Sequence, residues 1–204
     1  MTFVLCSVAA GAGVFENFDR WTLQTAQKAE SGALDMLGSF FSYAGSLEVV
    51  GVALISLLTI LVFGGHLRLA SRLLAAFVAT GMVELAMKFF LSTPPLPGMA
   101  SRAANPTLLV ALEHPFPYPS GHALRLVLLF GAVFVLWTNG VARTVVVVGG
   151  VVAVLSRVYL GVHWASDVIG GALLGILGLT WVFERPAISG HQPARNDDQL
   201  TGRR

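Results

Sequence analysis

The chain has 204 residues, of which 55% are hydrophobic and only 12% are charged, and its formal net charge is +2. In a typical soluble domain about a quarter of the residues are charged, so this composition favours an integral membrane protein of one domain. The basic residues are scattered singly without interleaved aromatic residues, which argues against nucleic-acid binding. The single cysteine, Cys6, cannot form an internal disulfide and belongs to no zinc or redox motif.

Six apolar stretches follow one another along the chain and predict an all-α polytopic membrane protein with about six transmembrane helices. The first is the N-terminal run MTFVLCSVAAGAGVF, and the others cover about residues 46–64, 69–91, 120–138, 144–161 and 166–184. These five approach the roughly 20 apolar residues that a helix needs to cross the hydrocarbon core. Between the first two stretches, ENFDRWTLQTAQKAESGALDMLGSFFSYAG mixes apolar and charged residues and predicts an amphipathic interfacial helix.

Positive charges in the short connections predict the orientation. Arg68, Arg72 and Arg143 lie in GGHLRLASR and TNGVAR, so the positive-inside tendency places that side and both termini in the cytoplasm. The proline-rich loop at 92–119 and the turn near 161–166 then share the outer face. We therefore expect a multi-pass protein of the plasma or inner membrane, with its site facing the outside or the periplasm.

The sequence also predicts where the domain ends and how its last helices pack. Residues 1–186 predict a single transmembrane domain, whereas 187–204 lack an apolar periodicity and predict a disordered cytoplasmic tail. Glycines recur at close-packing intervals in the last two stretches, which predicts tight helix packing there. These glycines are Gly149, Gly150, Gly170, Gly171, Gly175 and Gly178.

Polar residues gather at helix ends on the predicted outer face. The stretch SRVYLGVHWASD contains Arg157, His163 and Asp167 within an otherwise apolar region, where ionisable residues usually have a function. His163 and Asp167 are four positions apart, so on a helix they share one face and the carboxylate can accept a proton from the imidazole. That hydrogen bond fixes the tautomer and leaves the other ring nitrogen nucleophilic.

A second polar group, PSGH at 119–122, begins a predicted helix. Proline suits a first helical turn, while Ser120 and Gly121 leave backbone N–H groups open toward an anion, and His122 can donate a proton beside it. Lys88 and Arg157 add positive charge, and the arginine fork matches phosphate oxygens. These groups predict a phosphoryl-transfer site that works through histidine without a cofactor. Since no cluster of carboxylates for two metal ions is evident, this chemistry requires no metal.

The pattern Pro119-Ser120-Gly121-His122, followed by Ser156-Arg157, five residues, His163, three residues and Asp167, resembles the type 2 phosphatidic acid phosphatase superfamily in its membrane branch. Two of the three family motifs match in order and spacing, and the resemblance covers about residues 18–185. It implies that His163 attacks phosphorus to form a phosphohistidine, that Asp167 orients it, and that His122 protonates the leaving oxygen and later activates water.

The resemblance also implies which residues hold the phosphoryl oxygens, namely Lys88, Ser120, Gly121 and Arg157. The first motif departs from the family, because Lys88 is followed by FFLSTP and then Pro95-Leu96 instead of Arg-Pro. Arg125 or Arg102 can supply the missing second cation, although neither has the family spacing and each also suits an interfacial anchor.

Lys88 has two structural alternatives to phosphate binding, since it can snorkel to the interface or pair with Glu84 one turn earlier.

The function that this resemblance implies is hydrolysis of a phosphomonoester or diphosphate of a lipid, with the lipid phosphate and the bilayer as the partners. The substrates implied are undecaprenyl diphosphate, phosphatidylglycerol phosphate, phosphatidic acid and lipid A phosphates. Two alternatives stay open. One is a phosphotransferase that passes the same phosphoryl group to a lipid acceptor, and the other is a non-catalytic binder or transporter of lipid phosphates.

Overall fold

A computed structural model of the chain describes residues 1–29, 31–96, 101 and 116–184, and this part contains helices and no strands. In chain order the helices are α1 (Thr2–Gly11), α2 (Glu16–Lys28), α3 (Gly32–Ala44), α4 (Leu47–Phe63), α5 (Leu67–Phe90), α6 (Gly121–Leu136), α7 (Gly140–Tyr159) and α8 (Ala165–Phe183). The predicted tail at 187–204 and most of the proline-rich loop lie outside the described residues.

Small polar residues fix where three of these helices begin. The side chains of Ser46, Ser120 and Asn139 accept hydrogen bonds from backbone N–H groups of the first turns of α4, α6 and α7. Each cap satisfies an N–H group that has no partner within its helix. The apolar stretches therefore begin as helices where the sequence supplies an oxygen acceptor.

Three of the described helices, α5, α7 and α8, are long and apolar enough to cross a membrane. Helices α3 and α4 meet at a bend of 50° and form a fourth crossing if the pair is one broken span. Helix α6 has 16 residues, about 24 Å at 1.5 Å per residue, and α1 has only 10. The all-α multi-pass architecture is confirmed, while the count of six spans stays a prediction.

The amphipathic segment forms two helices instead of the one expected. Helix α2 ends at Lys28, Ser31 has an extended backbone, and α3 then begins at Gly32. Helix α3 is more apolar than α2 and leads into α4 through the bend at Gly45 and Ser46. Only the first half of the segment, α2, therefore has the strongly polar character of an interfacial helix.

Helix α8 packs closely against α5 and α6 through its glycines, as the sequence predicted. A Cβ on Gly175 would lie 2.8 Å from the carbonyl oxygen of Leu124, and one on Gly178 would lie 3.0 Å from Thr80 Cγ2. A Cβ on Gly171 would collide with the carbonyl oxygen of Ser120. Gly149 of α7 differs, because a Cβ there would meet open space.

Helices α5 to α8 run in alternating directions and bring four of their ends together. Arg72, near the start of α5, donates hydrogen bonds to the carbonyls of Trp181 and Glu184 at the end of α8. At the other end of the bundle, the backbone N–H of Ser120 donates to the carbonyl of Asp167 at 2.9 Å. The C-terminal ends of α5 and α7 and the N-terminal ends of α6 and α8 therefore share one end of the protein.

Candidate active site

The turn between α7 and α8 sets the separation of Arg157 from His163. Gly161 has a φ of 66°, a left-handed conformation that favours glycine. Its N–H donates to the carbonyl of Val158, and the N–H of Val162 donates to the carbonyl of Arg157. This pair of bonds is a Schellman motif, which ends α7 by satisfying its last carbonyls. His163 thus follows the end of one helix and precedes the start of the next.

His163 and Asp167 form the predicted pair. His163 Nδ1 lies 3.3 Å from Asp167 Oδ2, and both side chains are buried, Asp167 with only 1% of its surface exposed. The same Oδ2 accepts a hydrogen bond of 2.9 Å from the backbone N–H of Trp164, the residue that precedes α8. One carboxylate oxygen therefore both caps the first turn of α8 and holds the imidazole.

The start of α6 packs directly against this first turn of α8. Ser120 is fully buried, caps α6 through its hydroxyl, and donates its N–H to the carbonyl of Asp167. The prediction that this N–H stays open toward an anion is therefore wrong for Ser120, because the first turn of α8 supplies its acceptor. Gly121 is buried beside Glu84 and Arg125, where a Cβ would collide with the Glu84 carboxylate. The absence of a side chain at Gly121 therefore allows the charged groups to approach the helix N-terminus.

His122, the first residue after Gly121, faces the same cluster. The charged and titratable groups that act on it are Arg157, Arg125 and His163, and it hydrogen-bonds to the backbone of Ser42. The bend between α3 and α4 packs on its ring, since a Cβ on Gly45 would lie 3.1 Å from His122 Cδ2. The structure thus brings the two predicted histidines together from α6 and from the turn before α8.

Arg157 is buried near the end of α7. It retains 8% exposure, and its Nη1 donates a hydrogen bond to the hydroxyl of Ser42 on α3. Its buried Nε–H has no acceptor among the described residues, and the same holds for the Nε–H of Arg125. A buried guanidinium donor without an acceptor costs free energy, and a bound oxyanion would satisfy it.

Lys88 and Arg125 share a carboxylate. Glu84 Oε1 lies 3.0 Å from Lys88 Nζ, and Glu84 Oε2 lies 3.1 Å from Arg125 Nη1, with all three side chains largely shielded from solvent. The salt bridge of Lys88 with Glu84, which their spacing offered as a structural alternative to phosphate binding, is present. Arg125 belongs to the same cluster, which brings a second cation beside Lys88.

The electrostatic surroundings of His163 favour the neutral ring. It lies in the turn between α7 and α8, and burial is the main cause that holds its pKa well below the usual value. The positive charges of Arg157 and Lys88 lower the pKa further. A neutral imidazole whose Nδ1–H donates to Asp167 keeps the lone pair on Nε2 available.

A cavity of about 570 Å³ adjoins the cluster from the other side of α8. It lies between α1, α2, residues 93–95 and the first turn of α8, and Asp19, Trp164, Ser166 and Asp167 are among its lining residues. Neither histidine lines it. The cavity therefore borders the carboxylate and does not enclose the pair of histidines.

The structure brings together eight of the nine residues predicted for the site. They are His163, His122, Asp167, Lys88, Ser120, Gly121, Arg157 and Arg125. Arg102 lies outside the described residues. Sequence reasoning missed the contact of Ser42 with Arg157 and the link from Glu84 to Arg125. The role of Glu84 could have been recognised in the sequence, because it is the only acidic residue in α5. Nothing in the sequence distinguishes Ser42.

The fold and the cluster define a class of proteins, namely all-α multi-pass membrane proteins with a histidine and carboxylate pair beside several buried cations. A family model described as PAP2 superfamily matches residues 69–188, which include the whole cluster apart from Ser42. The chain belongs to the PAP2 superfamily. The family resemblance stated from the two sequence motifs is confirmed.

Curated relatives match parts of the chain. It is 41% identical over 101 residues to an undecaprenyl-diphosphatase of Sulfolobus acidocaldarius, covering 47% of this chain and 45% of the relative. It is 36% identical over 74 residues to phosphatidylglycerophosphatase B of Bacillus subtilis, covering 32% and 36%. The matches therefore span less than half the length of these relatives.

A solved structure shares the fold. The crystal structure of a transmembrane PAP2 type phosphatidylglycerolphosphate phosphatase from Bacillus subtilis is similar with a TM-score of 0.73 and 19% sequence identity. The similarity covers 89% of this chain and 90% of that one. At this identity the match supports the fold alone.

Proposed function

We propose that the protein is an integral membrane lipid phosphatase that hydrolyses a phosphomonoester or diphosphate of a lipid through a phosphohistidine. The observation that carries the proposal is the hydrogen bond between His163 Nδ1 and Asp167 Oδ2 within a cluster that also contains Arg157 and His122. A histidine oriented by a carboxylate and surrounded by cations suits nucleophilic attack on a phosphoryl group.

In the first step His163 Nε2 attacks phosphorus, the bond from phosphorus to the leaving oxygen breaks, and His122 donates a proton to that oxygen. Asp167 stabilises the positive charge that develops on the His163 ring. In the second step His122 accepts a proton from water, the water oxygen bonds to phosphorus, and the bond from phosphorus to nitrogen breaks. Inorganic phosphate leaves in this step, both for a monoester and for attack on the terminal phosphorus of a diphosphate, and His122 and His163 return to their starting forms.

The phosphoryl oxygens are held by Lys88, Arg157, the Ser120 hydroxyl and the N–H of Gly121, because the N–H of Ser120 already donates to the carbonyl of Asp167. Backbone N–H groups at a helix start and buried cations stabilise the charge of the transferring group. Arg125 supplies the second cation that the first sequence motif lacks, because Glu84 holds it next to Lys88. In this role the arginine comes from α6 and not from the loop after α5.

The position of the cluster at the ends of apolar helices supports a lipid substrate. A head group can reach such a site while the hydrocarbon chain stays in the bilayer. Two relatives are named for undecaprenyl diphosphate and phosphatidylglycerol phosphate, which makes these lipids the first candidates. Because Arg68, Arg72 and Arg143 lie in the first two turns of α5 and α7, at the opposite end of the bundle, we infer that the site faces the outer side of the cell membrane.

The experiment is phosphate release by the detergent-purified protein from a panel of lipid phosphates and diphosphates, with excess EDTA. We expect release from wild type, none from His163→Ala, and wild-type release from His66→Ala, a matched control in the turn before α5. Vanadate, which imitates five-coordinate phosphorus, should compete with the substrate. Full activity of His163→Ala would contradict the phosphohistidine, and release that EDTA abolishes would contradict a metal-independent reaction.

Two other results would redirect the proposal. A phosphorylated lipid product without free phosphate would identify a phosphotransferase. Lipid binding without turnover of any substrate would identify a binder or transporter.

A further inference from the structure

Asp19 is a buried carboxylate on helix α2, whose other charged residues are exposed. It retains 7% exposure, whereas Glu16 and Arg20 on the same helix form an exposed pair. Its Oδ1 accepts a hydrogen bond of 2.8 Å from the backbone N–H of Ser166, and its Oδ2 accepts one of 2.6 Å from the Ser166 hydroxyl. The two residues are 147 positions apart, so these bonds join the N-terminal region to the start of α8.

The position of Ser166 gives these bonds their significance. Ser166 is the second residue of α8 and directly precedes Asp167, and the first N–H groups of a helix have no partner within the helix. Asp167 Oδ2 already accepts from Trp164 and contacts His163. The N–H of Ser166 is satisfied from outside the helix by Asp19, whose negative charge also suits a helix N-terminus.

Packing alone does not hold this side of the turn. The 570 Å³ cavity lies against it, and Asp19, Ser166 and Asp167 all line that cavity. On the other side, the N–H of Ser120 contacts the carbonyl of Asp167. The first turn of α8 is thus fixed by hydrogen bonds from α2 on the cavity side and from α6 on the other.

We propose that Asp19 is a positioning residue, which holds the first turn of α8 so that Asp167 keeps His163 in the orientation for attack. The inference rests on the proposed function, since it gives α2 a part in that reaction. Asp19 acts through Ser166 and Asp167. Its loss should reduce turnover while leaving the groups that hold the phosphate in place.

The test compares Asp19→Ala, Asp19→Asn and Ser166→Ala with Asp35→Ala in detergent-purified protein. Asp35 is a matched control, because its carboxylate accepts a 2.7 Å hydrogen bond from the Tyr159 hydroxyl and so joins α3 to the end of α7 instead of to α8. We expect Asp19→Ala to lower kcat roughly 10- to 100-fold with little change in KM. Ser166→Ala should lower kcat less, because the backbone N–H still reaches Asp19. Asp35→Ala should keep the kcat of wild type.

A second readout is the ¹⁵N NMR signal of the His163 ring, assigned by its loss in His163→Gln. Asp19→Ala should move this signal toward that of a ring without its Nδ1–H hydrogen bond, and Asp35→Ala should not. An unchanged kcat and an unchanged His163 signal in Asp19→Ala would overturn the inference. The inference would also be overturned if Asp19→Ala lowered kcat no more than Asp35→Ala does.

The remaining outcomes are also decisive. If Asp19→Ala does not fold, Asp19→Asn and Ser166→Ala take its place, and wild-type kcat in both overturns the inference. If wild type releases no phosphate from any lipid, the proposed function fails. In that case the His163 signal still tests whether Asp19 orients the ring.

Discussion

Arg125 Nη1 lies 3.1 Å from Glu84 Oε2, although 41 positions separate the two residues. The other oxygen of Glu84 holds Lys88 at 3.0 Å. One carboxylate in the apolar environment of α5 and α6 therefore keeps two cations together. Breaking a buried ion pair by removing one partner leaves an uncompensated charge, which makes this cluster sensitive to single substitutions.

The first prediction concerns Arg125 as the second phosphate-binding cation. Arg125→Ala should raise KM for the lipid substrate and weaken vanadate inhibition about 10-fold or more, because one charge-assisted contact to the anion is lost. Arg125→Lys should recover part of this loss. Steady-state kinetics test this prediction. Arg143→Ala is the control, because Arg143 lies in the first turn of α7, at the end of the bundle opposite the site. Unchanged KM and vanadate affinity in Arg125→Ala would show that the arginine only pairs with Glu84.

The second prediction concerns Glu84 itself. Glu84→Gln should lower the free energy of unfolding by about 3–5 kcal/mol, the usual effect of breaking a buried pair. Because the variant leaves both Lys88 and Arg125 without their carboxylate, inorganic phosphate should restore more thermal stability to it than to wild type. Thermal unfolding in detergent with and without phosphate measures both effects. Equal stabilisation by phosphate in the two proteins would contradict a cluster that binds the anion.

Sequence reasoning found most of this site because its parts are local. The histidine and carboxylate pair is set by a four-residue spacing, and Ser120 with Gly121 by the start of a helix. The Glu84 to Arg125 bond and the Asp19 to Ser166 bonds join residues of different helices, and no spacing along the chain reports them. The number of membrane spans could not be predicted from the sequence for a different reason. Apolar length alone did not reveal that α3 and α4 meet at a bend or that α6 has only 16 residues.

The third prediction concerns the acid and base role of His122. His122→Ala should slow hydrolysis of an alkyl phosphate roughly 10²- to 10⁴-fold, since the alkoxide needs a proton as it leaves. With nitrophenyl phosphate the loss should be smaller, because nitrophenolate leaves without protonation. The two substrates are compared by kcat/KM, and His66→Ala controls for loss of a histidine. Equal losses for both leaving groups would remove His122 from proton transfer to the leaving oxygen.

The fourth prediction concerns the protonation of His163. Burial and the charges of Arg157 and Lys88 lower its pKa, so the folded protein should keep the ring neutral at pH values below about 6.5, where free histidine is protonated. The nucleophile therefore stays active as the pH falls through that range. Removing one cation in Lys88→Met should raise the pKa toward the usual value, whereas Lys28→Met on α2 should not. Titration of the His163 ring ¹⁵N signal in detergent measures the pKa, and a value at or above that of free histidine in wild type would contradict the prediction.

The fifth prediction separates two glycines of the bundle. A Cβ on Gly171 would collide with the carbonyl of Ser120, whose N–H donates to Asp167, while a Cβ on Gly149 would meet open space. Gly171→Ala should therefore destabilise the protein by about 1–3 kcal/mol and lower kcat, since the start of α6 must shift away from α8. Gly149→Ala should keep the activity and the stability of wild type or gain up to about 1 kcal/mol. Thermal unfolding and phosphate release on the same samples measure both effects. Because the two substitutions add the same methyl group to helices of one bundle, equal behaviour of the two variants would show that the close approach of α6 to α8 does not hold the site together.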